Sequence, residues 1–255
     1  MNSARSVALS LALALGIFGT SPAGAQQAVD APKDAETPKA AEPSPGADVP
    51  KAAEPSRNAD GKRVRMGVAM TAIPKISSQV PGASCLLCLA AAHGTVSTLK
   101  DHLGTLPTED LLKVKAEVAD LLRKKGHDVV VVAEELDLTA LPDFGSKGAK
   151  VAKKDFSPLR QKYNLDKLLV IEIVNLGVIR NFSAYIPKSD PKAVVNIMSY
   201  IVNLDDNAYD VRRPVNIIKA AEGNWDEPPK FPGMTNAYFQ TIELARDRLR
   251  EAFED

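Results

Sequence analysis

Apolar and polar positions alternate where the core-forming part of the chain begins: Val64, Met66, Val68 and Met70 are separated by Arg65, Gly67 and Ala69. A period of two predicts a strand with one buried face. After Pro81-Gly82 the spacing turns helical, and Cys85, Cys88, Leu89, Ala92, Val96, Leu99 and Leu103 share one face. Gly94 weakens that helix and Gly104 ends it. The clearest helix runs from Thr108 to about Lys125, with Leu111, Val114, Val118, Leu121 and Leu122 on its apolar side. Thr108 caps it, Glu109 and Asp110 sit at its positive end, and Arg123, Lys124 and Lys125 sit at its negative end. Gly126 closes it. The β-branched run Asp128 to Ala133 then predicts a strand covered on both faces.

Further along, residues 134 to 155 predict a long loop, or a loop with one short turn, and Phe156 to Tyr163 a short helix. Lys167 to Val174 is a buried strand, and Phe182 to Ile186 leads into another. Ala193 to Leu204 and Ala208 to Ala220 predict a hairpin turning at Asp205-Asp206-Asn207. Pro214 places the second strand at a sheet edge or on a bulge. The last element, Thr235 to Phe253, is an amphipathic helix with Tyr238, Phe239, Ile242, Ala245, Leu249 and Phe253 inward. The order predicts an α/β or α+β fold: a mixed sheet of about five strands, antiparallel toward the C-terminus, with helices packed on it.

The region before this pattern is of another kind. Residues 26 to 61 hold six prolines and nine alanines but no aromatic residue, leucine or isoleucine, and Pro38 to Ser44 recurs unchanged as Pro50 to Ser56. Such composition does not bury enough apolar surface to fold and favours extended polyproline II. It is either a spacer, a tail that touches another envelope component, or a neutral tail that keeps the folded part clear of the export machinery. Ahead of it, Arg5, the apolar run Val7 to Phe18 and Ala23-Gly24-Ala25 form a secretory signal with cleavage expected before Gln26. The run is too short to span a bilayer, and no cysteine stands near the cleavage point to take a lipid. The expected division is signal peptide 1–25, disordered linker 26–61 and one domain over 62–255, with the mature chain in a bacterial periplasm. The 32 basic and 32 acidic residues balance, which gives no reason to invoke nucleic acid or a strongly anionic surface.

Two phrases, Leu121-Leu122-Arg123-Lys124-Lys125-Gly126-His127-Asp128-Val129-Val130-Val131 and Tyr163-Asn164-Leu165-Asp166-Lys167-Leu168-Leu169-Val170-Ile171, together with the hairpin segment Ser199 to Asn207, give the chain its family likeness. It resembles periplasmic envelope proteins of the CsgG, LpoB and TolB N-terminal-domain type, over residues 64 to 253. The resemblance implies non-enzymatic work: scaffolding, activating a partner enzyme or building an envelope complex. The chain departs from the group in lacking the lipidated cysteine and in carrying Pro81-Gly-Ala-Ser-Cys-Leu-Leu-Cys88.

That segment holds both cysteines of the chain, in a C-x-x-C spacing that opens a helix. One reading is a redox-active dithiol activated by the helix N-terminus. The other, favoured by an oxidising compartment, by the apolar face the cysteines share and by the two leucines between them, is a structural disulfide between Cys85 and Cys88. His93, His102 and His127 have no metal-pair spacing, and no phosphate loop or nucleophile elbow is present, so no metal, cofactor or catalytic residue is assigned. Lys147, Lys150, Lys153 and Lys154 make a basic loop that is either solvated or a partner surface. Trp225 and Phe231, in a proline-rich segment before the last helix, are either interface anchors or the underside of a stiff strap. The leading expectation is a non-catalytic periplasmic protein that binds another envelope protein. The alternatives are a thiol-disulfide oxidoreductase using Cys85 and Cys88 and a small-ligand carrier with a pocket beside the sheet.

Overall fold

The computed structural model describes residues 63–145 and 148–254. The signal, the linker and Lys147 lie outside the described residues. The alternating segment forms β1 (Arg65–Met70) and pairs in parallel with both β3 (Asp128–Glu135) and β4 (Lys167–Ile179). The two long apolar runs near the C-terminus form β7 (Lys192–Asn203) and β8 (Tyr209–Ala220), each antiparallel to its neighbour, giving the order β3-β1-β4-β7-β8. A short β2 (Ser77–Gln79) pairs in parallel with the far end of β4. This is the mixed, antiparallel-ended sheet the pattern predicts.

Between β2 and β3 lie α1 (Leu86–Gly94), α2 (Ser97–Leu103) and α3 (Glu109–Lys124); α4 (Ser157–Tyr163) precedes β4, and α5 (Pro232–Glu254) ends the chain. Helices α2, α3 and α5 cover one face of the sheet. Val68, Leu169, Ile171, Ile197, Leu99, Val114, Tyr238 and Leu249 meet there in the main core. Burying side chains of this size stabilises the fold by roughly 1.5–3 kcal/mol each before chain entropy is set against it. The opposite face is only partly covered. There, α4 and the loop after β3 bring Leu159, Phe156 and Ala152 onto Leu168, Val170, Tyr200 and Val202.

Several elements differ from the pattern's expectation. The helix from Cys85 to Leu103 is two helices, because the chain turns at Thr95 and Val96 after Gly94. Cys85 is exposed, although it lies on the expected apolar face. Thr108 makes no side-chain cap; the acidic first turn of α3 remains, and Gly126 closes the helix with positive φ and an N–H to the Arg123 carbonyl. β3 is an edge strand, so only Val129 and Val132 are fully buried. Phe239 faces out, one position off the inner stripe of α5. β4 runs five residues beyond Val174, because a bulge between Ile173 and Asn175 absorbs the break in apolar pattern. Asn175 then bonds to Asn196, and Asn196 to Asn216, in a polar row across three strands. Gly177 admits β2 at that point, since a Cβ there would lie 2.0 Å from the Ser77 carbonyl oxygen. The Phe182 segment forms a separate small hairpin, β5 (Phe182–Ser183) with β6 (Ile186–Pro187).

Candidate functional site

The partly covered face of the sheet carries the candidate site. β1 stops pairing with β4 at Met70, the chain leaves the sheet, and pairing resumes only at Ser77. This leaves a notch at the carboxyl ends of the parallel strands β1 and β3, the place where open sheets of this kind leave room for ligands. A cavity of about 520 Å3 lies there, bounded by Thr71, Glu135, Asp137, Thr139, Glu172 and Ile173. It shares Glu172 and Leu138 with a second cavity of about 550 Å3 beneath the 148–156 loop, whose other walls include Val151, Lys153, Phe156, Tyr200, Tyr209 and Arg212. The two form one cleft.

Strand register brings its polar groups together. Tyr200 pairs with Val170 on one side and Arg212 on the other, so side chains from three strands project from the same face. Phe156 and Tyr200 meet edge to face at 6.1 Å, Tyr200 and Tyr209 at 5.4 Å, and the Arg212 guanidinium lies 4.8 Å from the centre of the Tyr209 ring. Burial, reinforced by the Glu172 carboxylate, pushes the Tyr200 phenol well above its ordinary range. Burial also raises Tyr209, against the opposing pull of Arg212. Both phenols are neutral donors at physiological pH. Arg212 and Glu172 have no ion-pair partner among the described residues. The cleft therefore offers aromatic faces, two hydroxyl donors, a carboxylate acceptor and a cation. Among the described residues its lining includes no cysteine, histidine or serine.

The loop over the cleft is pinned by one residue. Asn207 is buried, with φ of 60°. Its Oδ1 accepts from the Phe156 N–H at 3.0 Å, and its Nδ2 donates to the Lys154 carbonyl at 2.7 Å and the Ala152 carbonyl at 3.3 Å. The Asn207 carbonyl accepts from the Ala152 N–H at 2.9 Å, and the Tyr209 N–H donates to the Lys150 carbonyl. The turn between β7 and β8 thus holds the loop in place.

The basic loop is divided by this arrangement. Lys153 borders the cleft, Lys154 pairs with Asp143 at 2.7 Å and holds that carboxyl below its usual range, and Lys150 is exposed. Phe231 is not a surface residue: it is 2% exposed, stacks near His102 at 5.6 Å and lies in the main core, which corrects its place among the partner-surface candidates. Trp225 is half-buried against the same core, with the Arg180 guanidinium 5.0 Å from its ring. Cys85 and Cys88 are joined in a disulfide, with Cα atoms 4.9 Å apart; Cys85 is exposed and Cys88 buried, and the Cys88 N–H points at the Cys85 sulfur at 3.0 Å. Glu172, Tyr200, Tyr209 and Arg212 are not among the sequence's candidates. The one local signal is a charged Glu172 inside the apolar run Leu168 to Ile173.

No protein-family model matches the chain, and no curated protein matches it. Among solved structures it is similar to a Xanthomonas campestris protein of the DUF330 family, at 11% identity over 78% of this chain and 91% of that one, with a TM-score of 0.35. It is also similar to PelC of Paraburkholderia phytofirmans, solved as a dodecamer, at 10% identity over 72% and 88%, with a TM-score of 0.28. A third is lipoprotein GNA1162 of Neisseria meningitidis, at 12% identity over 71% and 99%, with a TM-score of 0.25. No residue of the cleft is assigned from these likenesses. The resemblance drawn from the sequence stays one of element order.

Proposed function

We propose that this is an exported bacterial envelope protein that works in the periplasm by binding another envelope component, without catalysis, and that the cleft between the sheet and the 148–156 loop is its binding site. The observation that supports this reading most is the meeting of Glu172, Tyr200, Tyr209 and Arg212 in one cleft. Aromatic and arginine side chains held beside an unpaired carboxylate suit recognition of a partly polar, ring-bearing or peptide group.

The test is cross-linking of the tagged protein in intact cells, followed by identification of what is captured. A discrete envelope complex that weakens with Tyr209→Ala or Arg212→Ala, and survives Cys85→Ser with Cys88→Ser, is the expected result. Native mass spectrometry of the purified protein distinguishes a retained small ligand from a macromolecular partner. The exposed Cys85 beside a buried Cys88 favours a second reading, thiol-disulfide exchange. Mixed disulfides with many exported proteins, abolished by the serine pair, would establish that reading and overturn the first.

A further inference from the structure

Four of the largest exposed apolar side chains stand on two adjoining segments. Leu86 is 88% exposed and Leu87 80%, at the start of α1; Tyr185 is 67% and Ile186 50%, at the tip of the β5–β6 hairpin. The two segments are joined. The Phe182 N–H donates to the Pro81 carbonyl at 2.8 Å and the Ala184 N–H to the Gly82 carbonyl at 3.0 Å. Gly82 has φ of 88°, and a Cβ there would lie 2.0 Å from the Phe182 carbonyl oxygen, so only glycine allows this approach. Beneath them Val80, Ala83, Cys88, Ala92 and Phe182 form a small core of their own. The Cys85–Cys88 disulfide closes around the two leucines and holds their backbone in one geometry.

Charge distribution selects the occupant. Residues 77–94 and 179–189, which build this tip, contain no aspartate or glutamate, although the chain as a whole has 32. The same stretches carry Arg180 and Lys188. The first carboxylates beyond them are Asp101, Glu172 and Asp190, and Asp226 flanks the Trp225 that Arg180 covers. Leucines this exposed stand free of any pocket wall. An apolar, tyrosine-bearing projection with cations and no anions suits the headgroup–acyl boundary of an anionic bilayer. We infer that the tip formed by Leu86, Leu87, Tyr185 and Ile186 is a reversible membrane-contact site for anionic lipid surfaces. The inference is independent of the cleft.

The test is flotation of the chain starting at Gln26 with vesicles of phosphatidylglycerol and, separately, of phosphatidylcholine. The protein is expected to float with the anionic vesicles and less with the neutral ones. Leu86→Ser with Leu87→Ser should weaken binding at least roughly tenfold, the equivalent of one buried leucine, with the thermal melt unchanged. Tyr185→Ala with Ile186→Ser, on the other segment, should weaken it in the same direction and covers the case in which the leucine variant fails to fold. Absence of binding to either vesicle, or binding unchanged in both folded variants, overturns the inference. Capture of a protein through the tip without vesicle binding overturns it as well.

Discussion

Asn207 does more than turn a hairpin. Its side chain satisfies one buried N–H and two carbonyls of the loop that roofs the cleft, from a left-handed backbone position that asparagine tolerates. Asn207→Ala leaves those groups without partners and adds backbone strain, so it is expected to cost about 3–5 kcal/mol, read by urea unfolding. Asn207→Gly keeps the bond loss but relieves the backbone, and should cost less. A cost under about 1 kcal/mol for the alanine variant would mean that the loop is held elsewhere. The sequence marks Asn207 as a turn residue and nothing more, because its partners at Ala152, Lys154 and Phe156 are about fifty residues away. Tyr200, Tyr209 and Arg212 are hidden for the same reason: each reads locally as a strand position, and only the pairing of β7 with β4 and β8 puts them in one cleft.

At the scale of elements, periodicity was legible where a face is uniformly apolar. α3, β1, β7, β8 and the body of α5 lie where their patterns place them. It was not legible where a polar residue interrupts a strand for a tertiary reason, as Asn175 and Gly177 do in β4, or where a strand has three residues, as β2 does. β8 shows a residue whose meaning did carry over. Pro214 pairs with Met198 in an unbroken stretch of register, on the strand that ends the sheet. Having no N–H to give to β7, it occupies a position whose backbone faces away from the sheet and interrupts the row of free donors there. Arg212 and Arg213 add like charge to the same edge. Pro214→Val is expected to leave monomer stability within about 1 kcal/mol while increasing self-association, more strongly at high salt. Sedimentation velocity over a concentration series checks this; a variant that associates no more than its parent would show that the edge is guarded by other means.

For the whole molecule, the disulfide and the main core act on different ranges. The Cys85–Cys88 bond closes a four-residue loop in the small core beneath the tip, so by chain entropy it is worth only about 2 kcal/mol. The paired serine variant should still unfold cooperatively, at roughly 4–8 °C below the parent for a domain of this size. Loss of all tertiary structure on reduction would contradict that division. The main core instead sets the alkaline limit. Tyr238 lies inside it on α5, its hydroxyl has no hydrogen-bond partner, and burial, aided by the Glu109 carboxylate, pushes the phenol up to about 12. Below pH 10 the phenol is neutral in both folded and unfolded chains, and its contribution is intact. Between pH 10 and about 12 the unfolded chain ionises while the folded one does not, so stability falls, by up to about 2 kcal/mol from this group. Tyr200 shifts the same way and prolongs the loss. Tyr238→Phe removes a buried, unpartnered hydroxyl without changing the shape of the core. It should be neutral or stabilising by about 1 kcal/mol at pH 7 and should flatten the decline above pH 10. Urea midpoints of parent and variant at pH 7, 10 and 11.5 decide the matter: curves that fall in parallel would mean the Tyr238 hydroxyl is solvated in the folded protein.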